Sequence, residues 1–136
     1  MKKIDIVTCV ERTPYTSLQG MSRISATEVL LPAGIEWQRM EVNLHAQLSV
    51  SDKVEDKCTV WTARLVFRTP LELGDRGRYV YRCRMLDGRY RIIGSDERPF
   101  PMASVIENLP EKVGEYHMNE VTVNWQSPFF IPYMAE

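Results

Sequence analysis

Histidine is scarce: two occur in 136 residues, His45 and His117. Neither has a carboxylate or cysteine at metal-ligand spacing such as H-x-x-x-H or H-E-x-x-H, so no metal site is expected. Cysteine is also sparse, with Cys9, Cys58 and Cys83 far apart and none in a C-x-x-C pair. An odd count in apolar, strand-like stretches excludes a disulfide framework and points to buried free thiols of a reducing compartment. A nucleophile built from Cys58 or Cys83 with His45 has no local signature. Neither G-x-x-x-x-G-K-[ST] nor G-x-G-x-x-G occurs, so no phosphate cradle is expected. The carboxylate pairs Glu55-Asp56 and Asp96-Glu97 fall in stretches that read as solvated turns, not as an acid and base. No apolar run reaches membrane-spanning length, and Asp5 interrupts the apolar N-terminus where a signal peptide would need its core. The expectation is a cytoplasmic, non-enzymatic protein without cofactor, metal or membrane.

Neither sign of charge is in surplus. The net charge is −1, with 44% hydrophobic and 26% charged residues. That is an ordinary globular balance, enough for one core, and it makes any nucleic-acid role a matter of a local patch. Helical periodicity is hardly present; period-two alternation is. Lys3 to Arg12 alternates and stops near Thr13-Pro14. In Ile35 to Ser51, Val42, Leu44, Ala46, Leu48 and Val50 share a face, and Ser51 to Lys57 reads as a hairpin loop. In Cys58 to Thr69, Trp61, Ala63, Leu65 and Phe67 form an inward row. Met118 to Gln126 sets Val121, Val123 and Trp125 against Glu120, Thr122 and Asn124. Tyr15 to Ser25 reads as an exposed loop. Ser95 to His117 is a long Pro-containing connection, and one short helical turn could form in 22–31 or 102–108. The pattern predicts an all-β fold, an antiparallel β-sandwich or small barrel.

The centre of the pattern is Arg78 to Gly94, two alternating segments around Asp87-Gly88. A two-residue type I′ turn there pairs Met85 with Tyr90, Arg84 with Arg91 and Cys83 with Ile92. Tyr79, Tyr81, Cys83, Met85, Tyr90 and Ile92 would then cover the core, while Arg82, Arg84, Arg89 and Arg91 face outward. Like charges directly opposite repel, so this face asks for an anion: an acid on a neighbouring strand, a partner's carboxylates, or a phosphate backbone. Basic residues interleaved with aromatics can bind single strands, but here the alternation puts tyrosines and arginines on opposite faces, which disfavours nucleic acid.

The tail, 128–136, carries Phe129, Phe130, Ile131, Tyr133 and Met134, too much apolar area to leave in water. It reads either as an arm for another subunit or as an edge strand on the main domain, 1–127. With its size, its meander, the hairpin Tyr-Arg-Cys-Arg-Met-Leu-Asp-Gly-Arg-Tyr, the loop Gly94-Ser-Asp-Glu-Arg-Pro-Phe-Pro and this tail, the chain resembles small all-β accessory and structural proteins of tailed phages and prophages. The resemblance implies assembly through loops and termini and a place in a virion. The expected role is a structural protein binding protein partners or itself through Arg82, Arg84, Arg89, Arg91, Phe129, Phe130, Ile131 and Tyr133. The alternatives are a nucleic-acid module using the four arginines and a small-molecule-binding barrel.

Overall fold

The computed structural model describes residues 2–40, 46–69, 78–96, 100–108 and 118–134. Most of them are in strands. Strands form where the sequence alternates: β1 (Lys2–Pro14), β5 (Ala46–Glu55), β6 (Cys58–Thr69), β7 (Tyr79–Met85), β8 (Tyr90–Ile93) and β10 (Met118–Ser127). Of the Ile35 to Ser51 run, 38–40 and 46–51 are strand, and Val42 and Leu44 lie outside the described residues. Shorter or less patterned strands are β2 (Ser22–Arg23), β3 (Glu28–Leu30), β4 (Gln38–Met40), β9 (Met102–Asn108) and β11 (Tyr133–Met134). A single 3-10 turn, Tyr15–Leu18, is the helical element among the described residues.

The eleven strands form one open sheet in the order β2-β3-β11-β8-β7-β1-β5-β6-β10-β9, with β4 beside β1. All pairs are antiparallel except β11 with β3. A twisted sheet this wide must curl, and its inner face closes on one core. Leu48 and Val50 from β5, Leu65 and Phe67 from β6, Val121 and Val123 from β10, Cys83 from β7 and Ile93 from β8 pack there, as the period-two pattern requires. Ile131, far from β10 along the sheet, joins the same cluster. The chain passes directly from Ser127 at the end of β10 to Tyr133 at the start of β11, past the places of β6, β5, β1, β7 and β8, which requires the sheet to curl back on itself. Each fully buried Leu or Phe contributes about 1.5–3 kcal/mol.

A second, smaller core covers the outer face of β7 and β8. Val80 and Ile92 point outward and are roofed by Leu18 and Val29, with Met21, Trp37 and Met134 around them. The stretch Tyr15 to Ser25, expected as an exposed loop, thus buries Leu18 completely.

Three local expectations are corrected. The 102–108 segment is a strand, not a helical turn, because it completes a ladder with β10 from Met118↔Asn108 to Asn124↔Met102. The 22–31 segment likewise holds β2 and β3, paired Arg23↔Val29. Third, the 78–94 hairpin has a three-residue connection. The Gly88 N–H donates to Met85 O at 3.0 Å, and the Met85 N–H donates to Arg89 O at 2.9 Å. Gly88 takes the left-handed conformation, φ +88. This is a type I turn closed by a glycine bulge, and it slips the register by one residue from the expected pairing. Cys83 now faces Arg91, and Arg84 faces Tyr90. A one-residue slip turns every β8 side chain to the other face. Ile93, not Ile92, belongs to the inner core, and Arg84 and Arg91 lie on opposite faces.

The two-residue turn occurs elsewhere. β5 and β6 pair to Glu55↔Cys58, leaving only Asp56 and Lys57 between them. Both have positive φ, 48° and 66°, the type I′ signature on non-glycine residues. Ser51 to Lys57 is therefore mostly strand. A bulge at Thr8-Cys9 of β1, where the register with β7 shifts, lets both Val7 and Val10 face inward.

Candidate functional site

Arg82 lies on the outer face of β7, directly across from Glu11 of β1. Its Nη2 donates to Glu11 Oε2 at 2.7 Å, and the two side chains are 17% and 14% exposed. The guanidinium stacks on Trp37 at 4.6 Å and on Tyr90 at 4.4 Å. Its Nε is buried and has no acceptor among the described residues. An orphaned donor costs about 1–3 kcal/mol, which the two ring faces and the short ion pair offset.

Arg91 lies on the inner face and is 3% exposed. Its Nε donates to Ile131 O at 3.2 Å. Tyr133 and Phe130 cover its guanidinium at 4.7 and 5.2 Å. Arg89 reaches the same ring, 3.8 Å from the Tyr133 centroid, with Glu28 at 3.7 Å. The tail backbone is held on both sides. Ile92 N–H donates to Pro132 O at 2.9 Å, and Tyr133 N–H donates to Thr27 O at 2.8 Å. β11 thus sits inside the sheet, between β3 and β8.

Of the eight sequence-predicted partner residues, the structure brings Arg89, Arg91, Phe130, Ile131 and Tyr133 into one cluster. Arg82 is on the other side of the sheet, and Arg84 projects into solvent. Phe129 is 61% exposed beneath Arg23, whose guanidinium is 5.3 Å from the ring. Arg23 also donates to Phe130 O at 3.0 Å, and partial burial pulls its pKa below the usual arginine value. The expected acids exist, but they come from β1 and β3. Glu120 of β10 lies 3.9 Å from Arg68 instead. Arginine and aromatic side chains do share surfaces, contrary to the expected segregation. The cause is the register slip, which puts Tyr90 on the Arg82 face.

Two further features were hidden in the sequence. The first is an arm. β1 pairs with β5 only as far as Ser51, and β10 pairs with β6 only as far as Trp61. Beyond them Lys53↔Val60, Val54↔Thr59 and Glu55↔Cys58 form a two-stranded ribbon with no strand on either side among the described residues. At about 3.4 Å per residue it stands roughly 10 Å out. Lys53 through Thr59 are all exposed, Val54 at 69%. Lys53 and Glu55 pair at 2.9 Å, and this hydrogen bond pulls the lysine pKa up. The sequence hid the arm because Ser51 to Lys57 is almost wholly polar and carries no alternation. The second feature is β9, whose only strand neighbour among the described residues is β10. Met102 is 75% and Val105 38% exposed.

His45, His117 and Glu97 lie outside the described residues. Cys83 is buried, and burial drives its thiol pKa strongly upward, so it is no nucleophile. Cys58 is exposed at the arm. Among the described residues no three His, Cys, Asp or Glu gather as metal ligands, and no helix is long and apolar enough to cross a membrane. A cleft of about 300 Å3 opens between Leu30, Ile35, Trp37, Arg82 and Met134, at the lower limit of ligand-sized cavities. No protein family, curated protein or solved structure matches the chain.

Proposed function

We propose that this protein is a non-enzymatic assembly component that works by binding other protein chains, with an accessory place in a phage or prophage particle as the setting its resemblance suggests. The observation that carries the reading is the β5–β6 arm. A two-stranded ribbon alone is marginally stable in water. Extending one past its described neighbours adds no described residue to the core and leaves Val54 at its end 69% exposed. Such a projection fits a groove on a partner.

Protein is favoured over nucleic acid because the hairpin arginines are committed internally. Arg82 and Arg91 stack on the chain's own rings and are largely buried, and of the two exposed arginines Arg89 faces Glu28 and the Tyr133 ring, which leaves Arg84 as the one directed wholly at solvent. A phosphate track needs several such cations on one surface.

The test replaces Val54 through Thr59 by Asn-Gly, joining Lys53 to Val60 through a two-residue turn. Proteins encoded beside this one are co-expressed with the full and trimmed chains, and complexes are measured by sedimentation. The expected result is a complex with the full chain that the trimmed chain, still folded by circular dichroism, does not form. Equal complexes with both chains, or none with either, would contradict the reading.

A further inference from the structure

We infer that β9 is a self-pairing edge, through which two copies of this chain join their sheets antiparallel about Val105. This goes beyond the arm reading and does not depend on it.

β9 is seven residues long and, among the described residues, pairs on one side only. Exposed edges are normally blunted by lysine, proline, a bulge or extreme shortness. Met102–Asn108 has none of these; its one charged residue is Glu107. The opposite end of the sheet is blunted: β2 has two residues, one of them Arg23. A head-to-tail chain of β9 on β2 would gain two rungs, whereas β9 on β9 gains seven. The second copy is therefore the occupant with the matching length.

The register follows from the faces. Val105 lies opposite Val121 and Ala103 opposite Val123, and both β10 valines are core residues. Ala103 and Val105 thus continue the core face to the rim, where both are exposed. A dyad perpendicular to the sheet keeps that face on the same side in both copies, so residues of like face must pair. Full overlap sets Val105 against Val105, Ser104 against Ile106, Ala103 against Glu107 and Met102 against Asn108. The apolar row Val121–Val105 then runs unbroken into the second copy, and no like charges meet. An edge contact of this length belongs to the small, reversible interfaces, so the dimer is weak and concentration-dependent.

Sedimentation equilibrium over micromolar to millimolar concentrations tests it, with Val105→Lys placing two ammonium groups face to face across the dyad. The inference expects a monomer–dimer equilibrium in the wild type, at least a tenfold higher dissociation constant in V105K, and unchanged dimerisation in the arm-trimmed chain. A second readout does not need a disruptive variant. In a Cys58→Ser background, Val105→Cys is opposite itself within disulfide reach, while Met102→Cys is about 20 Å from its own copy. The 105 variant should cross-link under mild oxidation much faster than the 102 variant. A wild type that stays monomeric throughout, a dimer unaffected by V105K, or equal cross-linking at 102 and 105 would overturn the inference.

Discussion

Arg82 and Arg91 stand on adjoining strands and face opposite ways, each fastened to a different segment. Arg82 ties β7 to β1 through Glu11, and Arg91 ties β8 to the tail through Ile131. Removing one partner of a largely desolvated ion pair leaves a charge without compensation. Glu11→Gln should cost about 3 kcal/mol in urea unfolding, while Arg84→Gln, at an exposed site, should stay within about 0.5 kcal/mol. Thiol chemistry reads burial residue by residue. Cys58 should react with a thiol reagent at once, Cys9 slowly, and Cys83 only as the protein unfolds. Cys83 also sets a pH dependence. Burial raises its folded pKa, so its contribution is present below the ordinary thiol range and is lost as pH rises above it, where the unfolded chain ionises first. Urea midpoints measured across alkaline pH should fall less in Cys83→Ala than in the wild type.

At the scale of elements, the tail behaves as a strand of the fold. Ile131 is fully buried in the main core, so Ile131→Ala should cost about 2–5 kcal/mol in the same assay. Deleting 128–136 should then unfold the sheet at β3 and β8, not merely remove an arm. The turn at Asp56-Lys57 holds two non-glycine residues at positive φ. Asn-Gly there should stabilise by about 0.5–1 kcal/mol. These elements also show what a sequence can reveal. β5, β6 and β10 were legible because five or more alternating residues bury one face of each. Acids do stand beside two of the hairpin arginines, Glu11 by Arg82 and Glu28 by Arg89, but the reason for expecting them, Arg84 opposite Arg91, does not hold. β2, β3 and β11 are too short to carry a period. The hairpin register was lost because Asp-Gly serves both a two-residue turn and the end of a three-residue one, and only Gly88's bulge separates them. Gly94 is similar: a Cβ there would come 2.9 Å from Pro101 Cγ, a constraint set by a loop with no sequence pattern.

For the whole molecule, the sheet divides the work. Its middle, from β8 to β10, encloses the core, and the internal ties of Arg91 and Arg89 lock the tail into it. What remains outward is the arm and the β9 edge, and the proposed partners meet the protein there. That division requires residues 128–134 to belong to the cooperative unit. Native-state hydrogen exchange tests this most directly, comparing the amides of Ile92 and Tyr133 with those of Leu65 and Val123. All four should open only with global unfolding and share one exchange free energy. Tail amides exchanging a hundredfold or more faster than β6 and β10 would make the C-terminus a detachable arm and contradict the account.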